Sequence, residues 1–107
     1  VLFLYPISGG ENLIEVSVRE DGIVVTGHAG YAEAGKDIVC AGVSTLFQTM
    51  LKSIGGLTTD KIEYDIVPGA SAMRFRNLSE KSKTLVDSFY IGVVLIAEEY
   101  PGYVKVI

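Results

Sequence analysis

The sequence predicts an α+β fold: a two-layer sandwich of a mostly antiparallel sheet with two helices on one face, in the order ββα-ββα-β. Three features carry this expectation. Alternating apolar and polar segments come in pairs joined by short turns. Each pair leads into a stretch with apolar residues at helical spacing. A final alternating run closes the chain.

The first strand covers 13–19, with Ile14, Val16 and Val18 on one face and Glu15, Ser17 and Arg19 on the other. Asp21-Gly22 has the composition of a hairpin turn, and 23–27 is the return strand, with His28 at its end. A loop containing Gly30 and Gly35 follows. Asp37 is a good N-cap for a helix over 38–54, where Val39, Val43, Leu46, Met50 and Ile54 recur at helical spacing and Gly55-Gly56 ends the run. In the second hairpin Ile62, Tyr64 and Ile66 alternate with Glu63 and Asp65, Pro68-Gly69 turns, and 72–76 returns. Asn77 or Ser79 caps a long second helix, which must end before Pro101. Residues 103–107 form the last strand.

At 107 residues, 49% of them apolar and 21% charged, the chain has the length and composition of one globular domain, placed at 13–107. Residues 1–12 are an N-terminal extension with no assignment. Their opening Val1-Leu2-Phe3-Leu4 lacks a basic flank and is interrupted by Pro6, which makes a poor secretion signal. No run approaches the ~20 consecutive apolar residues of a membrane span. A formal net charge of -4, with no basic run, argues against nucleic acid as a direct ligand. One cysteine excludes an intrachain disulfide and a Cys-based zinc cluster, and it makes the reducing cytoplasm the expected compartment.

The second helix is apolar on nearly every face, since Asp87 is the one charge between Val86 and Ala97. A two-layer domain of this size has little room to bury such a helix all round. A homodimer interface over its outer face, with Val94 on it, is the expectation.

The only histidine and the only cysteine, His28 and Cys40, lie on one strand–loop–helix segment. One titrates near neutrality and the other is the strongest nucleophile among side chains. With Asp37 as N-cap, Cys40 falls in the first helical turn, where free amides and the helix dipole favour thiolate. The amides of 39–41 are then available to a developing oxyanion. His28 serves as base or as ion-pair partner. Ser44, one turn beyond Cys40, is placed to hydrogen-bond substrate, the thiol or His28. Asp37 either caps the helix or orients the His28 ring. The plain alternatives are a buried inert cysteine, a satisfied histidine, a simple cap and a solvated serine.

Two competing chemistries are weak. Gly30 to Lys36 matches the G-x-x-x-x-G-K spacing of a phosphate loop, but Asp37 follows where Ser or Thr should hold magnesium. A metal site lacks ligands, so no metal or cofactor is expected. The second hairpin, with Arg74 and Arg76, offers no chemistry beyond a solvated strand face.

The block from Gly27-His28-Ala29-Gly30-Tyr31 through Gly35-Lys36-Asp37-Ile38-Val39-Cys40-Ala41-Gly42-Val43-Ser44 resembles the signature of the bacterial ribosomal-processing cysteine protease family, Prp. The closing Glu98-Glu99-Tyr100-Pro101-Gly102-Tyr103-Val104-Lys105-Val106 is similar as well. The resemblance implies Cys40 as nucleophile and His28 as general base, with Asp37 and Ser44 at the motif's other polar positions. It implies a homodimeric endopeptidase that removes a short N-terminal extension from the twenty-seventh protein of the large ribosomal subunit, cutting after an aromatic residue. It also implies a mobile loop at Gly30, Tyr31 and Gly35. Family members occur in phage genomes, where a capsid or scaffold protein is the implied substrate. The rival reading is a non-enzymatic dimeric module that binds a ribosomal or phage protein, with Cys40 inert.

Overall fold

A computed structural model describes residues 12–33 and 35–107. All but the last residue of the predicted N-terminal extension thus lies outside the described residues. The elements run β1 (Ile14–Arg19), β2 (Gly22–Thr26), α1 (Ile38–Leu57), β3 (Ile62–Asp65), β4 (Ala70–Phe75), α2 (Glu80–Glu99) and β5 (Val104–Val106). This is the predicted ββα-ββα-β order.

The sheet has the strand order β3-β4-β2-β1-β5. β3–β4, β4–β2 and β2–β1 are antiparallel, and β5 joins β1 in parallel after the α2 crossover. Register follows the alternation. Val16 pairs with Val25, Val18 with Ile23 and Met73 with Ile23, so apolar residues share one face. The other face carries Glu15, Arg19, Glu63 and Arg74, with an exposed Arg74–Glu63 ion pair at 3.0 Å. Such an exposed pair adds little to stability. The helices cover the apolar face, and Ile14, Val16, Ile23, Met73, Val39, Val43, Phe47, Ile54, Phe89 and Val93 form the buried core.

α1 has the length and apolar content to cross a membrane. Its Val39, Val43, Phe47, Met50, Leu51 and Ile54 are instead buried in the protein core. Phe47, not Leu46, belongs to the deeply buried set. Leu46 turns toward α2, where a Cβ on Gly92 would stand 2.9 Å from its methyl groups, and Phe47 meets Phe89 edge-on at 6.0 Å. The absence of a side chain at position 92 is what lets the two helices approach. Gly55-Gly56 does not end α1. The helix runs on to Leu57, because Thr58 caps it by donating both its amide (3.2 Å) and its hydroxyl (2.7 Å) to the Ile54 carbonyl.

Ser79, not Asn77, is the N-cap of α2. Asp60, just after α1, accepts the Ser79 amide at 2.9 Å, the Ser79 hydroxyl at 2.7 Å and the hydroxyl of the buried Ser82. One carboxylate therefore joins the end of α1 to the start of α2. On the outside of α2, Ile91 and Leu95 are 67% and 62% exposed, whereas Val94 is half-buried. The bare apolar strip is centred on Ile91 and Leu95, one helical step from the expected Val94.

Candidate active site

Asp37 builds the start of the site. Its extended backbone places its side chain over the first turn of α1, where Oδ1 accepts the amides of Val39 (3.0 Å) and Cys40 (2.9 Å). Its second oxygen reaches back into the preceding loop and accepts the amides of Tyr31 (2.9 Å) and Ala32 (3.4 Å). Burial alone would raise this carboxyl. The amides of Cys40, Ala32 and Tyr31 outweigh that and hold it below the usual carboxylate range. The capping role is thus observed, and among the described residues no hydrogen bond links Asp37 to His28. The same arrangement fills with carboxylate the amide nest that a phosphate loop would need, which disfavours nucleotide at the Gly-x-x-x-x-Gly-Lys segment.

Cys40 is half-buried in the first turn of α1, and its sulfur accepts the Ala29 amide at 3.3 Å. The expected lowering of its pKa does not occur. Burial pushes the thiol up. The amides of Ala29 and Gly30 pull the other way, but the Asp37 charge adds to the rise. The helix N-terminus cannot supply the expected effect because its amides already serve Asp37. For the same reason the amides of Val39 and Cys40 are not free for an oxyanion, and that of Ala41 bonds the Asp37 carbonyl at 3.0 Å.

His28 follows β2, and its side chain is exposed. Its neighbours are tied on both sides: the Gly27 amide donates to the Gly69 carbonyl at 2.9 Å, and the Ala29 amide donates to the Cys40 sulfur. His28, Cys40 and Ser44 line a largely apolar groove of about 370 Å³ whose far wall includes Ile66, Val67, Pro68 and Gly69. The same three residues line a second groove, of about 490 Å³, with Gly30, Ala32, Gly35 and Asp37. Ser44 is exposed and accepts from Gln48 at 3.0 Å. It bonds neither the thiol nor His28.

The loop is held at one end. Tyr31 packs edge-on against Tyr100 (5.3 Å) and Tyr103 (5.2 Å), while Gly35 stands in open space. Gly30 and Gly35 both take positive φ, 64° and 86°, which explains glycine at the two bends.

The expectation that the second hairpin offers no more than a solvated strand face is corrected by its turn, which forms a wall of the groove at Cys40. The missed residues are Ile66, Val67, Pro68 and Gly69. Pro68-Gly69 was legible as a turn, but only the β2–β4 pairing brings that turn to His28. Among the described residues, no cluster of three or more His, Cys, Asp or Glu side chains is arranged to hold a metal ion.

A half-buried cysteine and an exposed histidine line the same two grooves on an α+β sheet, the lining that a cysteine hydrolase would need. Comparison with known proteins agrees. The family model described as cysteine protease Prp matches residues 13–105, and the chain belongs to that family, whose members are cysteine endopeptidases. The ribosomal processing cysteine protease Prp of Staphylococcus aureus is 29% identical over 94 residues, covering 81% of this chain and 89% of that protein. The protein of the same name from Mycoplasma genitalium is 28% identical over 101 residues, covering 82% and 99%. Among solved structures, the S. aureus protease with a covalently linked product peptide superimposes with a TM-score of 0.79 at 23% identity, covering 88% of this chain and 95% of that one. At that identity the likeness is one of fold.

Proposed function

We propose that this endopeptidase removes a short N-terminal extension from the twenty-seventh protein of the large ribosomal subunit, with Cys40 as nucleophile and His28 as general base. The observation that carries the reading is the setting of Cys40. Its sulfur lies against the Ala29 amide and shares both grooves with His28 and Ser44. The names of the S. aureus and M. genitalium relatives support a ribosomal substrate. A phage capsid or scaffold protein is the other substrate class, and the membership of the family removes the inert-module reading.

Burial and the Asp37 charge keep the thiol protonated, so the reaction needs a base at the moment of attack. His28 takes the proton as Sγ attacks the scissile carbonyl carbon, and the carbonyl electrons move onto oxygen. As the sulfur bonds carbon, the Ala29 amide passes from the sulfur to that oxyanion. Collapse breaks the C–N bond, the departing amine takes the proton from His28, and the acyl group remains as a thioester on Cys40. Water then gives a proton to His28 and attacks the thioester, releasing the acid and restoring the thiol. Substrate runs from the apolar groove to the loop groove past Cys40. Ser44 meets its backbone, and the loop opens about Gly30 and Gly35 to admit it.

The active form is a homodimer joined through the Ile91 and Leu95 face, and its place of work is the cytoplasm, where ribosomal proteins are made. The test is cleavage of a synthetic peptide spanning the ribosomal extension, with a capsid-derived peptide beside it, followed by mass spectrometry. Wild type cuts the ribosomal peptide once, Cys40→Ala does not, and His28→Ala loses ~10²–10⁴-fold in rate. Cleavage by Cys40→Ala at the wild-type rate overturns the reading.

A further inference from the structure

We propose that Gly69, in the turn between β3 and β4, is a positioning residue for the His28 imidazole, and that the lack of a side chain there leaves the ring the space from which it serves Cys40. The proposal rests on the reading of His28 as the base. His28 is exposed, and among the described residues its ring makes no hydrogen bond that would fix its rotamer. The ring faces the open side of Gly69. A Cβ built there would stand 2.8 Å from Nε2, 3.4 Å from Cε1 and 3.6 Å from Cδ2. The first distance is shorter than side chains tolerate, so any residue with a Cβ must move the imidazole or the turn.

The turn is not free to yield. The Gly69 carbonyl accepts the Gly27 amide at 2.9 Å, immediately before His28. The Ala70 amide donates to the Val67 carbonyl at 3.0 Å, and the Ser71 hydroxyl bridges the Val67 amide (3.2 Å) and carbonyl (3.1 Å). The braced turn leaves the ring as the part that moves. A ring pushed out of that space is turned from the groove it shares with Cys40, where it takes the thiol proton and later serves the leaving amine.

The test compares Gly69→Ala and Gly69→Asn with Gly102→Ala. Gly69 and Gly102 have φ of 79° and 88°, so an alanine at either carries the same left-handed strain, but a Cβ at Gly102 meets nothing within 4 Å. Asparagine tolerates that backbone, so Gly69→Asn keeps the fold while still carrying the Cβ. Two readouts apply: kcat and KM on the ribosomal peptide, and the pH profile of iodoacetamide labelling of Cys40, the chain's single thiol. The expected result is a kcat loss of about tenfold or more for both Gly69 variants, part of the general-base contribution, with KM retained. Gly102→Ala keeps the wild-type rate despite a similar drop in melting temperature. In a His28→Ala background, Gly69→Asn costs nothing further. Wild-type kcat in Gly69→Asn, or its full loss repeated on top of His28→Ala, overturns the proposal while leaving the assignment of His28 intact. Wild-type activity in His28→Ala alone overturns both.

Discussion

Asp37 serves two segments with one carboxylate, and its charge works against the nucleophile that it positions. Oδ1 holds the first turn of α1 and Oδ2 holds the loop at Tyr31 and Ala32. Asparagine caps a helix as well as aspartate does, but its NH₂ would face the Tyr31 and Ala32 donors. Asp37→Asn should therefore keep α1, release the loop and shift the iodoacetamide profile of Cys40 to lower pH. An unchanged or upward-shifted profile would show that the Asp37 charge does not reach the sulfur. Asp37→Ala loses the cap as well, which costs about 1 kcal/mol in denaturant titrations. The capping role was legible because it depends on residue type and local spacing. The hold on the loop was not, since it needs the bends at Gly30 and Gly35 and a Tyr31 ring seated on Tyr100 and Tyr103 at the other end of the chain. The raised thiol was missed because its largest cause, burial, is set by packing, and because the carboxylate that starts the helix adds its charge and occupies the amides.

At the level of elements, the α1–α2 junction depends on Asp60. Hydroxyls and an amide from Ser82 and Ser79 hold its carboxyl below the usual carboxylate range, with Ser82 the largest cause. A carboxyl whose folded pKa is depressed contributes stability above its unfolded value of about 3.9, and that stability is lost as pH falls through the lower folded value. Asp37 acts in the same window and with the same sign. Thermal melts of the wild type should therefore fall as the pH drops below about 4. Ser82→Ala should lower the melting temperature at pH 7 and make that acid decline shallower. An equally steep decline would place the acid sensitivity elsewhere. Strand pairing and element order were visible in the alternation of Ile14, Val16 and Val18 and in the Asp21-Gly22 and Pro68-Gly69 turns. The end of α1 was not, because Thr58 rather than Gly55-Gly56 provides the stop. The site wall at 66–69 was hidden because it arises from the pairing of β2 with β4, and no local signal in the second hairpin marks it.

Across the whole molecule, one face of the sheet is polar, the other is covered by helices, and α2 presents Ile91 and Leu95 outward. If that strip joins two chains, Ile91→Glu should convert the dimer to monomers in light scattering, and the half-buried Val94 would be the poorer probe because a charge there also disturbs the fold. An unchanged dimer mass places the interface on another surface. The apolar composition of α2 announced such a face from the sequence, while its centre depended on how Leu46 and Gly92 set the helix rotation. All of these features converge on a single sulfur held between two grooves, so the most direct measurement is intact-mass spectrometry of the protein quenched in acid during turnover of the ribosomal peptide. The wild type should carry the mass of the N-terminal fragment as a thioester that maps to Cys40 and is absent from Cys40→Ala. Steady cleavage with no adduct on Cys40, and with Cys40→Ala equally active, would contradict covalent catalysis at this site.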